Sequence, residues 1–338
     1  MKKRCLLLCL MTVLLCLFAG SALAAQSGYY YYEDHGDGTC TILDYAGSSL
    51  GPVFPETLDS LTVTGIGEYV FRLASNSLAS MGIKSVTLPD TVTTIAANAF
   101  EGCGNMKQIT FGSGVQTIGK DAFRDCSRLK AVYVPSLESW LGISFANSYS
   151  KPHGFELYVD GVLAEEIVIP SSVTAINAYA FETCDSLKSV TIPGSVKTIE
   201  SCAFGKCRYL QNLTLSDGVE SIASSAFYDC DALQRVVIPS SVTYFSSSAF
   251  DYCDNITLVD LSAHNHAPGA GGDSVSWFRW DGESTLTLAS GDNYVALACD
   301  VYVPSGITVS KGQHLHLCLD GSDLAANGSS CSATITVN

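Results

Sequence analysis

"SVTIPGSVKTIESCAFGKC", Ser189 to Cys207, is followed 23 residues later by "NLTLSDGVESIASSAFYDC", Asn212 to Cys230. Aligned on "AF" and the cysteine, further copies are "IAANAFEGC" (Ile95–Cys103), "IGKDAFRDC" (Ile118–Cys126), "INAYAFETC" (Ile176–Cys184) and "FSSSAFDYC" (Phe245–Cys253). "IGEYVF" (Ile66–Phe71) keeps the phrase without the cysteine. Phe181, Phe204, Phe227 and Phe250 stand 23 apart, as do Phe100 and Phe123. A period held this well marks a solenoid, in which each unit buries its apolar face only on its neighbours. That organisation suits 338 residues, long for one globular core.

The rhythm changes inside each period. "SVTIP" alternates, so Val190 and Ile192 face one way and Ser189 and Thr191 the other. Pro193 has no ladder donor and ends the strand. Val196 and Ile199 point inward from a second short extended piece, and Phe204, Cys207 and Leu210 fill the interior. One period is one turn of a coil, and coils stacked about 4.8 Å apart build a parallel sheet along one side.

The pattern resembles the BspA-like class of leucine-rich repeats, whose units look like "SVTIPSSVxxIGxxAFxxCxxL", over about residues 29–260. The resemblance implies a β-rich α/β solenoid, a right-handed superhelix of about 23-residue coils. It also implies non-catalytic binding of an extracellular protein or glycan ligand, as in adhesion to host or other cells. "YYYYEDHGDGTCTILDYAGSS" looks like the family's atypical first unit, so residues 25–60 are expected to cap a solenoid spanning 61–260. Phe123 and Phe181 lie 58 apart, which places one lengthened coil at about 135–170, ending in a hairpin turned at Asp160-Gly161. After Asp260 the period stops. Residues 261–283 open on a Gly/Pro/Ser-rich stretch and read as a linker, and 284–338 as an all-β module that resembles the opening coils of β-solenoids.

The first 24 residues read as a signal peptide: basic "MKKR", an apolar run, then "SALA". Its removal takes Lys2, Lys3 and Arg4, so the net charge moves from −15 to −18. That acidity excludes a nucleic-acid partner, which needs a basic footprint. No second apolar run reaches membrane-spanning length, so no membrane insertion is expected once the leader is gone. The expected location is the bacterial cell surface or the medium.

Removal of the leader also takes Cys5, Cys9 and Cys16, leaving 11 of 14 cysteines. Cys103, Cys126, Cys184, Cys207, Cys230 and Cys253 form a column. Ladder residues point the same way, whereas a disulfide needs its Cβ atoms turned toward each other, so the column reads as buried thiols filling the core. His314, His316 and Cys318 share one face of a strand, but spread over about 13 Å they do not converge on one ion. "DHGDGT" (Asp34–Thr39) reads as a turn. No metal or cofactor is expected, and no nucleophile elbow, metal helix or phosphate loop is present. The alternatives to a binding protein are a polysaccharide-active enzyme whose β-helix begins in the tail, and a structural spacer.

The candidate ligand contacts are the outward strand positions Thr87, Thr110, Tyr133, Thr191 and Thr214, with Val237 and Thr257 in the same column. Threonine also suits an exposed sheet for its own sake, so propensity and binding both account for them. Trp140, Phe145 and Tyr149 in the lengthened coil either anchor a partner or fold back to cover the irregular turn.

Overall fold

The computed structural model describes residues 24–71 and 82–256, apart from 240, 247 and 254, and beyond these the backbone of short strands. The proposed leader, most of the linker and the side chains of the tail lie outside the described residues, and a strand, Phe278–Trp280, falls inside the stretch expected to be linker. The chain divides into two compact units, Met1–Val162 and Leu163–Asn338.

The second unit shows the repeat in its plainest form. Strands Glu166–Val168, Ser189–Ile192, Asn212–Leu215, Arg235–Val237 and Leu258–Asp260 form one parallel sheet in which Val190 pairs with Leu213 and Thr191 with Thr214. The short strands Ala175–Ile176, Thr198–Ile199, Ser221–Ile222 and Tyr244–Phe245 form another. Val190, Ile192, Val196, Ile199, Phe204, Cys207 and Leu210 are all fully buried. The phenylalanines stack ring on ring, with Phe181–Phe204 at 5.0 Å, Phe204–Phe227 at 5.2 Å and Phe227–Phe250 at 5.1 Å, the planes within 9°. Strand Thr285–Thr287 of the tail adds to the sheet in register with Leu258–Asp260. The sheet therefore continues past the point where the sequence period stops.

The remainder of each coil carries no strand, yet its backbone still bonds to the next coil. Phe181 N–H donates to the Ala203 carbonyl, Phe204 to Ala226 and Phe227 to Ala249. Two residues per coil make this possible by adopting left-handed backbone: the one before "AF" (Tyr179, Cys202, Ser225) and the one before the cysteine (Thr183, Lys206, Asp229). Each of these N–H groups donates to a carbonyl of the following coil, as in Thr183 to Gly205 at 2.8 Å and Cys202 to Ser224 at 3.2 Å. A left-handed non-glycine residue costs about 1–3 kcal/mol and persists only where its surroundings demand it. Here the surroundings are the next coil, whose carbonyls these N–H groups reach.

In the first unit, the strands Ser85–Thr87, Gln108–Thr110, Ala131–Val134 and Glu156–Val159 form a parallel sheet extended by Val162–Leu163. The N-terminal segment is an antiparallel arrangement of Ala25–Ser27, Tyr30–Asp34 and Thr39–Tyr45, joined in parallel to Leu61–Ile66. Its rings continue the aromatic column: Tyr45 and Phe54 both pack on Phe71, which packs on Phe100 at 6.0 Å. In the turn Asp34–Thr39, Asp34 accepts from Gly36 N–H and Asp37 from Thr39 N–H and hydroxyl. The carboxylates serve their own backbone, as a turn requires.

The stretch expected to be one lengthened coil is two things. From Ala131 to Phe155 the chain makes a coil 25 residues long, since Ala131 pairs with Glu156. A ten-residue hairpin follows before the second unit's first strand at Glu166. It turns at Asp160 and Gly161, both left-handed, as an Asp-Gly hairpin demands.

Candidate functional site

The cysteine column is interior. Cys103, Cys184, Cys207 and Cys230 are at most 1% exposed, and Cys126 and Cys253 are 7% exposed. Four of the thiols reach the phenylalanine carbonyl one coil back. Cys126 donates to Phe100 O at 3.1 Å, Cys207 to Phe181 O at 3.0 Å, Cys230 to Phe204 O at 3.2 Å and Cys253 to Phe227 O at 3.0 Å. Cys184 lies 3.3 Å from the Ser186 hydroxyl. Burial pushes the Cys103 thiol up to about 12 and raises Cys126 and Cys230 well above the ordinary range. Such thiols are core atoms with a weak donor, not nucleophiles.

Trp140 is not a surface anchor. A five-residue helix, Leu137–Leu141, starts at Ser136, whose hydroxyl accepts the Ser139 N–H at 3.1 Å. The helix turns Trp140 fully inward, where its ring meets Phe111, Phe145 and Phe155 at 5.2–6.1 Å. Phe145 is buried with it. The physical reason is that this coil has no "AF" phenylalanine, so the indole fills the space. Tyr149 stays 47% exposed, with its ring 4.7 Å from that of His153.

The outward strand positions fall on two separate sheets. In the first unit Thr87 pairs with Thr110, Thr110 with Tyr133 and Tyr133 with Tyr158. The isolated bridge of Val53 to Thr87 adds one more rung, and Val53 is 68% exposed. Tyr133 and Tyr158 stack at 4.7 Å and 23°, both half-buried. In the second unit Val168 pairs with Thr191 and Thr191 with Thr214. Val168 and Val237 are exposed there. Thr257 lies outside the described residues, as do the side chains of His314, His316 and Cys318. Tyr158 and Val168 escaped sequence reading because neither lies in a consensus copy. A Lys or Gln stands three positions before Thr87, Thr110, Tyr133, Thr191 and Thr214, whereas Phe155 and Glu165 stand there before Tyr158 and Val168.

At the exit of the first unit's strands lies a groove of about 430 Å³, lined by Glu56, Asp90, Thr110, Tyr133, Pro135 and Asp160 among others. Gly112 lies on its wall because a Cβ there would run into the Pro89 carbonyl. Ser113 donates to Asp90 through both N–H, at 2.6 Å, and hydroxyl, which holds that carboxyl below its usual range. In the second unit a smaller depression of about 350 Å³ is lined by Gln211, Asn212, Thr214, Gln234 and Val237. Among the described residues, no group of three or more His, Cys, Asp or Glu is arranged to hold a metal ion. No helix among them is long and apolar enough to cross a membrane.

Several solved structures are similar to this chain. A leucine-rich cell surface protein from Faecalibacterium prausnitzii matches at 22% identity, over 71% of this chain and 95% of that one, with a TM-score of 0.30. A leucine-rich repeat protein of T. pallidum matches at 23% over 58% and 87%, with a TM-score of 0.38. A leucine-rich repeat protein from Bacteroides ovatus matches at 22% over 70% of each chain, with a TM-score of 0.41. No curated protein matches. The model of the BspA type leucine-rich repeat region matches residues 55–151 and 158–267 in six copies. These segments make up more than half of the sequence and contain every "AF" copy, and the chain belongs to the BspA-type leucine-rich repeat family.

Proposed function

We propose that this is a non-catalytic binding protein, exported by its N-terminal leader, that holds an extracellular protein or glycan on its outward sheet faces. The observation that carries the reading is the outward column itself. Side chains repeat in register from coil to coil, Thr87, Thr110, Tyr133 and Tyr158 on one sheet and Val168, Thr191 and Thr214 on the other. Extended faces of this kind are what solenoids offer to partners. Affinity comes from many weak contacts, because no single rung among the described residues presents a deep anchor pocket.

The test is a triple variant, Thr191→Glu, Thr214→Glu and Tyr133→Ala, compared with wild type on host-matrix and glycan arrays. The variant is expected to lose most binding while circular dichroism stays unchanged. Full binding by the triple variant together with loss in Tyr149→Ala would move the site to the irregular coil.

A further inference from the structure

Apart from Glu156, which accepts the Tyr158 hydroxyl at the entry of the last strand, the outward face of the first unit is electrically sorted. At the entry of its strands, Lys84, Lys107 and Lys130 occupy successive rungs, each linked to the next through backbone. All three are exposed, and Lys130 donates to the Gly154 carbonyl. At the exit, the groove presents Glu56, Asp90 and Asp160, all exposed, and no lysine or arginine lines it. Between the two rims lie the hydroxyls of Thr87 and Thr110 and the paired rings of Tyr133 and Tyr158.

From this sorting we propose that the exit groove takes a cationic protein segment, with an arginine or lysine side chain laid beside Tyr133 and neutralised by Glu56 and Asp160. The proposal rests on the binding reading above and names the partner's chemistry. Charge complementarity selects the occupant: three carboxylates around an aromatic wall attract a cation, and the ring face adds a cation–π contribution. Ser113 fixes one of those carboxylates, Asp90, in its ionised form through two hydrogen bonds. The lysine rim repels the same segment, so it confines the cation to the exit side and sets its orientation. A polyanion would be drawn to the opposite rim.

The experiment is calorimetric titration of the whole chain with a short peptide of alternating arginine and glycine. Wild type is compared with Glu56→Gln/Asp160→Asn and with Lys84→Gln/Lys107→Gln. Asn-Gly suits the hairpin turn as well as Asp-Gly does, so the first variant keeps the fold. Loss of the two carboxylates is expected to weaken binding about tenfold, and the lysine variant is expected to bind as tightly as wild type or tighter. Equal binding by wild type and the carboxylate variant would mean attraction to the overall negative charge and would overturn the proposal. So would no peptide binding to wild type, or displacement of the peptide by a neutral oligosaccharide at Tyr133. The array measurement separates the two readings. A wild-type chain that binds the arrays but not the peptide retains the outward faces and loses the cationic groove. One that binds the peptide but not the arrays does the reverse.

Discussion

The coils from Ile176 to Cys253 and the coil from Ala131 to Phe155 fill the same kind of interior by different means. The first set uses one phenylalanine per coil, stacked on the next with planes 3–9° apart. The second uses Trp140 on a short helix, held by three tilted aromatic neighbours. A stacked column is one-dimensional, so each ring depends on two others. A hub gathers its contacts at one residue. The repeat is thus one solution to a packing problem rather than a requirement, and its absence relocates the load to a single side chain.

Trp140→Ala should cost about 4–5 kcal/mol, the upper end for a buried aromatic, because the indole is fully enclosed. Hydrogen exchange should accelerate first at Ser144–Phe155, and a uniform rise across the first unit would contradict the hub.

Phe204→Ala should cost about 3–4 kcal/mol. Its effect should reach the coils of Phe181 and Phe227 and fade beyond them, since coupling in solenoids is between neighbours. Proteolysis that opens residues 25–66 as readily as 181–227 would remove the one-dimensional picture.

The thiol column gives a pH dependence. The folded state holds Cys103 protonated up to about 12, whereas an unfolded thiol ionises near 9. Above pH 9 the unfolded chain releases a proton that the native chain keeps, so stability is intact below pH 9 and falls as pH rises toward 12. The slope is about 1.4 kcal/mol per pH unit for each such thiol. Urea midpoints measured under reducing conditions at rising pH should show it, and Cys103→Ala should flatten the slope by one thiol's share.

The smallest effect concerns backbone strain. Thr183 is β-branched, left-handed at φ 61°, and its buried hydroxyl has no hydrogen-bond partner. An equivalent position in the first unit, before Cys103, is Gly102, also left-handed. Thr183→Gly should therefore stabilise by about 1 kcal/mol, read as a raised thermal midpoint.

The solenoid, its strands, the inward column of Val190, Ile192, Phe204, Cys207 and Leu210, and the hairpin at Asp160-Gly161 were all legible in the sequence. They depend on side-chain periodicity and turn chemistry, which are local properties. The left-handed residues were only partly legible. Asn98, Asp121, Asp125 and Gly102 hint at them, but Tyr179, Thr183, Cys202 and Lys206 do not.

Stacking of coils of about 23 residues follows from the residues alone, because no one coil can bury its own apolar face. Three features were decided only in the tertiary structure. Trp140 turns inward, because a coil without its phenylalanine leaves a void that an indole fills. Cys126, Cys207, Cys230 and Cys253 each donate to a carbonyl 26 residues back, because stacking and not chain proximity brings them together. The third is the groove with Glu56, Asp90, Tyr133 and Asp160 on its rim. These residues span more than a hundred positions in the chain and meet only because successive rungs lie about 4.8 Å apart.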